Sequence, residues 1–375
     1  MTDINSGLEG VVAASTQLSH VDGERGELII AGFPVEELAP RATFEETTWL
    51  LWHGRLPDRR ELDDFRSELV SRRALSTTTL ALLRECARDN VDSMDALRMA
   101  LDTVSLSGTD VVATDIVAQA PMIVAAFWRL RHEREPVVPR ADLGHSANFL
   151  YMLSGEQPDV ERVRALDTYL NTVVDHGLNA STFTCRVITS TGSDLVSAIV
   201  GAVGALKGPL HGGAPGPALE TVFEIGDASR ADEVLRRKIE AGDRLMGFGH
   251  RVYKVRDPRA DVLAAAAERL FTRGGDMSLY TLARAVERTA LRLLEEYKPG
   301  RRLQTNVEFY TALVLHGLGL EVPLFTPTFA ISRVSGWIAH AIEQRATGRL
   351  IRPRSEYTGP HDLRWAPIDS REAAA

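Results

Sequence analysis

Three histidines of this 375-residue chain stand where glycine lets backbone come close to a ligand. They are His176 in DHGLNAST, His211 in GPLHGGAPGP and His250 in RLMGFGHRVYKVRDPRA. An imidazole so placed is suited to giving or taking a proton at a bound substrate. The other seven, His20, His53, His132, His145, His316, His340 and His361, lack such surroundings and read as structural or surface residues. Spacing by itself leaves His211 open between a ligand-facing residue and part of a simple helix-breaking loop. Zinc is the competing use of histidine. The chain has no HExxH, no CxxC and no two histidines four residues apart on one helix, so a metal has no positive support.

Cations give the next signal. Arg251, Lys254, Arg256 and Arg259 fall within nine residues, directly after the turn Gly247-Phe248-Gly249-His250. Exposed turn amides beside cations suit phosphate or carboxylate, so this segment is expected to bind an anion. Arg333 in AISRVSGW and Arg352 in LIRPRS stand beside glycine or proline, and the arginine fork matches the two oxygens of a carboxylate. The formal net charge of −8 argues against a general nucleic-acid binder. Neither GxxxxGK[ST] nor GxGxxG occurs, which excludes a P-loop and a dinucleotide fold.

The elements that position these residues read as helices. Hydrophobic content of 44% and charged content of 25% are ordinary for a globular chain, and the length favours two domains. ELIIAGFP predicts a short strand stopped by Pro34, after a turn flanked by Gly23 and Gly26. Thr43 and Glu46 form a capping box ahead of TTWLLW, and Gly54 ends that helix. One apolar stripe runs Val160, Val163, Leu166, Leu170, Val173, Val174 towards Gly177. A second runs Leu279, Leu282, Val286, Leu293, Leu294 to Pro299-Gly300, and ADVLAAAAERLF between them ends at Gly274-Gly275. Period-two patterns are scarce after residue 35, so the expected class is mainly α with a small N-terminal β element.

Leu195–Leu206 is the longest apolar stretch, well short of the roughly 20 residues a bilayer requires, and reads as a core helix. MTDINSGLEG has no basic and apolar leader pattern. Cys86 and Cys185 match no metal or redox spacing and are expected as buried thiols. The expected compartment is the cytoplasm.

The tract GFGHRVYKVRDPR resembles the signature of the citrate synthase family. HGLNAST, GPLHGGA, the NVxFY pattern of TNVEFY, FTPTFAISRVSGW and LIRPRSEYTG are similar in the same order, as is the N-terminal GLEGVVAASTQLSHVDGERGEL. The details look most like the short bacterial and archaeal citrate synthases and 2-methylcitrate synthases. The resemblance implies condensation of acetyl-CoA with oxaloacetate and hydrolysis of citryl-CoA, with no metal or redox cofactor. It implies that His211 stabilises the enol, His250 polarises the oxaloacetate ketone, and Glu308 removes the methyl proton. His176, His211, His250, Arg259, Arg333 and Arg352 match the oxaloacetate-binding set. Lys254 falls where the family places a cation near the CoA phosphates, with Arg251, Gly247 and Gly249 beside it.

Further implications are a homodimer, with Arg352 reaching the partner's site, and two helical domains. The large one would comprise 1–213 and 319–375, and 214–318 would close over the ligands. The chain departs from the usual motifs twice. NVEFYTA replaces NVDFYS, giving the base an extra methylene and roughly 1.5 Å of reach. HGGAPGPALE replaces HGGANEAV, with Pro215 and Pro217 stiffening the next helix. The alternatives to citrate synthesis are propionyl-CoA as substrate, a non-catalytic oxaloacetate- or CoA-binding relative, and, least supported, a metal-dependent hydrolase.

Overall fold

The computed structural model describes residues 6–8, 10–107, 112–211 and 215–370. Among them are sixteen α-helices and one three-stranded antiparallel sheet, so the mainly α class with an N-terminal β element is borne out. The sheet order is Ser19–Asp22, Glu27–Ile30, Phe33–Pro34, with Ser19 opposite Ile30 and Asp22 opposite Glu27. Asp22 shapes the turn between the first two strands. Its carboxylate accepts the Glu24 and Arg25 amides at 3.0 and 2.9 Å, and its carbonyl accepts Gly26 N–H at 2.9 Å. Gly26 there has φ +70°, as glycine allows. The strand Glu27–Ile30 alternates, and its buried side, Leu28 and Ile30, faces the core.

Most helix starts carry the capping chemistry their sequences advertise. Thr43 and Glu46 satisfy each other's backbone N–H at the head of Phe44–His53, and Gly54 ends that helix at φ +72°. Asp159 heads Val160–Val173, Asn179 heads Ala180–Ser190, Asp194 heads Leu195–Leu206, Asp257 heads Pro258–Gly274 and Asn306 heads Val307–Gly317. Gly275 closes Pro258–Gly274 in the left-handed region. Val160–Val173 ends four residues before Gly177, because the chain turns off at Asp175 to present His176.

The core gathers on the long helix Phe325–Thr347. It packs against Ala180–Ser190, Ala113–Arg131, Leu195–Leu206, Phe44–His53 and Val160–Val173. Trp337, Ile338, Val334 and Ile331 are fully buried along it. Cys86 and Cys185 are buried free thiols, as expected. Among the described residues no single helix is long and apolar enough to cross a membrane, and Leu195–Leu206 packs into the core with half of its residues buried and the rest partly so. Of the glycine- and proline-rich segment 208–217, residues 212–214, where the expected domain boundary falls, lie outside the described residues.

Candidate active site

His211 lies on the turn that follows Leu195–Leu206, its own amide donating to the Gly208 carbonyl at 2.9 Å. Its Nε2 faces Ser181, the second residue of Ala180–Ser190. The Ser181 N–H points at Nε2 from 3.3 Å and the Ser181 Oγ stands 2.8 Å away. A first-turn amide has no partner inside its own helix and carries part of the positive end of the helix dipole. Nε2 is therefore the acceptor, and the ring's proton sits on Nδ1, turned away from the helix. Burial, then the charge of Arg333, pushes this imidazole down to about 4, so it is neutral near pH 7.

His250 is held by the opposite nitrogen. Its Nδ1 accepts the Val252 and Tyr253 amides at 3.0 and 3.1 Å, which leaves the proton on Nε2. Arg259 Nη2 stands 3.4 Å from Nε2, too long to outweigh the two backbone donors. Burial, then Arg259, pushes His250 down to about 4 as well. His176 completes the group. Its Nε2 lies 3.1 Å from the Tyr253 hydroxyl and its ring 5.7 Å from the His250 ring, and burial holds it well below the usual histidine range.

A short backbone ladder ties His250 to the carboxylate. Gly249 N–H donates to the Gln304 carbonyl at 2.7 Å, and Asn306 N–H donates to the Gly247 carbonyl at 2.9 Å. Asn306 Nδ2 reaches the Gly249 carbonyl at 2.7 Å while its Oδ1 accepts Glu308 N–H at 3.0 Å. Gly247 at φ +89° has no room for a side chain, since a Cβ there would sit 3.0 Å from the Phe309 ring and Cβ. Glu308 is thus the second residue of Val307–Gly317, and among the described residues no hydrogen bond or ion pair holds its carboxylate. Burial raises it to about 7, against the pull of Arg259 and Arg333.

The two cations are anchored differently. Asp257, itself buried, takes Arg259 Nε at 3.0 Å and Nη2 at 2.8 Å, and also accepts Val307 N–H at 3.1 Å. One carboxylate thereby fixes Arg259 and the start of the Glu308 helix together. Arg333 is 1% exposed, donates from Nε to the Val173 carbonyl at 2.7 Å and covers the Phe329 ring at 4.6 Å. Among the described residues no carboxylate lies within ion-pair distance of it, and burial drives it down to about 10. Its charge is felt at His176, His211 and Glu308 alike. Two neutral imidazoles with opposite tautomers, an unpaired carboxylate and an under-neutralised cation suit proton abstraction from carbon beside a bound dianion.

The comparisons with known proteins agree. The family profile described as "Citrate synthase, C-terminal domain" matches residues 7–354. The citrate synthase of Haloferax volcanii is 40% identical, over 98% of this chain and 99% of its own. The 2-methylcitrate synthase of Mycobacterium tuberculosis is 38% identical, over 97% of this chain and 93% of its own. A solved complex of Thermoplasma acidophilum citrate synthase with carboxymethyl coenzyme A and oxaloacetate superposes with a TM-score of 0.90 at 31% identity, covering 98% of this chain and all of that one. The chain belongs to the citrate synthase family.

Within that family setting, His176, His211, His250, Arg259, Glu308 and Arg333 are brought together. Arg251 and Lys254 are exposed beside them, and Arg352 lies exposed on the tail. The basic run divides in two. Arg256 turns inward to Glu287 and Asp261 at 2.7 and 2.5 Å and is no anion ligand, which narrows the cationic face expected of 251–259. Sequence reasoning missed Asp257, whose position just before Pro258 at a helix start was a cap signal. It also missed Ser181, and Tyr169, whose buried hydroxyl has no hydrogen-bond partner among the described residues and lies within the field of Glu308 and Arg333. Behind His176, buried Asp175 accepts from Ser19 Oγ at 2.5 Å and pairs with buried His340 at 3.2 Å, whose other nitrogen takes Arg186 Nη1 at 3.0 Å. No sequence motif announced that network.

Proposed function

We propose that the chain condenses acetyl-CoA with oxaloacetate and hydrolyses the resulting citryl-CoA to citrate and CoA. The observation that carries this is the pair of neutral imidazoles, His211 and His250, held in opposite tautomers, together with the Glu308 carboxylate, which no hydrogen bond or ion pair holds among the described residues. A thioester methyl is a very weak carbon acid, so its enol must be stabilised as it forms. Glu308 takes the methyl proton while His211 Nδ1–H donates to the thioester oxygen. A neutral imidazole is the fitting donor, its acidity lying nearer that of an enol than an imidazolium's does.

The enol carbon then attacks the oxaloacetate ketone. His250 Nε2–H polarises that oxygen and passes it a proton as the alkoxide develops. Arg333, Arg259 and His176 hold the dicarboxylate, and Arg333 gains a directly paired carboxylate. Water finally cleaves the citryl thioester, releasing the CoA thiol. The exposed Arg251 and Lys254 would meet the CoA phosphates at the mouth, with 214–318 moving as the closing domain. A homodimer supplying Arg352 across the interface accords with the exposed apolar tail, where Leu363 is 79% and Trp365 80% exposed. The cytoplasm is the compartment this reading fits.

A second reading, propionyl-CoA as acyl donor, is favoured by the 38% identity to a 2-methylcitrate synthase. The two acyl groups differ by one methylene, worth about 1–3 kcal/mol in a pocket. Thiol release with oxaloacetate and a panel of acyl-CoAs decides. Acetyl-CoA is expected to give the highest kcat/KM; a propionyl preference moves the assignment to 2-methylcitrate, and no release from any donor overturns both.

A further inference from the structure

Bonded to the loop that joins His250 to Arg259 is another buried carboxylate, one with no part in the chemistry above. Glu287 sits in the middle of the long helix Ser278–Tyr297 and is 3% exposed. Four donors converge on it. Oε1 accepts Arg256 Nη1 and Thr305 Oγ1, both at 2.7 Å. Oε2 accepts the Tyr310 hydroxyl at 2.5 Å and Arg284 Nη1 at 3.0 Å, and Arg284 also donates to the Tyr310 oxygen at 2.8 Å. Burial opposes the charged form, yet the hydrogen bonds from Tyr310, Arg256 and Thr305 hold Glu287 below the usual carboxylate range, so it is ionised.

The donors are not scattered. Arg256 immediately precedes Asp257, the clamp on Arg259. Thr305 and Tyr310 bracket Glu308, three residues before it and two after. Thr305 and Tyr310 are both buried, so neither hydroxyl has water as a substitute partner. We propose that Glu287 is a positioning residue for the condensation, setting the Glu308 helix through Thr305 and Tyr310 and the oxaloacetate-binding loop through Arg256. The role rests on the reaction proposed above. It assigns work to a helix that contributes no group to the site.

The two arms of the hub make separable claims. Tyr310→Phe and Thr305→Val each cut one bond to the Glu308 side. They are expected to lower kcat five- to fiftyfold with the KM for oxaloacetate within twofold of the wild type, since small misplacements of a base act on the chemical step. Arg256→Met cuts the loop side and is expected to raise the KM for oxaloacetate at least fivefold with kcat nearly unchanged. Glu287→Gln, which keeps the volume but not the charge, should show both effects. All four are assayed by thiol release well below their measured melting temperatures. Variants that melt earlier but keep wild-type kcat and KM overturn the hub alone, leaving a merely structural carboxylate. A wild-type chain that releases no thiol overturns the assigned reaction and the positioning role with it.

Discussion

Glu308 titrates where enzymes work. Burial lifts its carboxyl to about 7, while His211 and His250, both at about 4, stay neutral above pH 5. With Glu308 as the proposed base, the acid limb of kcat/KM for acetyl-CoA is expected to follow its titration, because a base must be ionised to take a proton. Activity is expected to rise with pH through about 7 and to fall tenfold per unit well below it. A limb near 4.5 would mean a solvated carboxylate. Stability carries the opposite sign. A carboxyl raised in the folded state binds its proton more tightly than in the unfolded chain, so its contribution is full below about 4.5 and is lost as pH rises through about 7. Glu308→Gln should stop turnover, yet gain melting temperature over the wild type at pH 8 relative to pH 5. Glu308→Asp should lose on the order of 10²-fold in rate, since the Asn306 cap and the Asp257 clamp fix the backbone for the longer side chain.

At this scale the histidines were legible and much of their support was not. His211 and His250 stood out because glycine next to histidine is a local fact of the chain. Ser181, which decides the tautomer of His211, is thirty residues away and becomes relevant only when two helices meet. Glu287 looked like any charge on an amphipathic helix, since nothing local marks a carboxylate that faces inward.

At the scale of elements, the N-terminal hairpin is a brace. Its turn lies against the loop between His250 and Arg259. Lys254 N–H donates to the Gly23 carbonyl at 2.8 Å, and a Cβ on Gly23 would stand 2.2 Å from the Val252 carbonyl oxygen. That oxygen is backbone and cannot swing aside. Gly23→Ala is expected to push the hairpin off the loop and raise the KM for oxaloacetate at least tenfold, with the helical circular dichroism signal intact. An unchanged KM would show the loop to be self-supporting. Gly23 and Gly26 were readable as a turn, and Glu27–Ile30 as a strand, from their residue types. Ser19–Asp22 was missed because SHVD has little strand character of its own and is held by pairing with Glu27–Ile30. Helix positions followed from period and caps, whereas the exact end of Val160–Val173 depended on where His176 had to be.

At the scale of the molecule, the tail over 349–367 has no helix or strand and is hydrogen-bonded back to the body at Ser190, through Ile351 N–H at 3.0 Å. Leu350, Tyr357, Leu363, Trp365 and Ile368 are 57–80% exposed along it. So many large apolar groups on one strap suit burial against a second copy. Truncation after Gly348 is expected to convert a dimer to a monomer in light scattering and to abolish turnover; a truncated chain that remains dimeric would relocate the interface. The expectation of a homodimer came only from the family resemblance, since a strap's partner surface is not encoded in its own residues.

Arg333 has one more consequence. A guanidinium buried with no carboxylate in ion-pair contact among the described residues is only partly compensated in the empty protein, so the resting fold stands short of its best. Whatever dianion settles there repairs the deficit, and the protein's heat resistance becomes a running report on the supply of its own substrate, rising by about 2.7 kcal/mol when oxaloacetate stands at a hundred times its Kd.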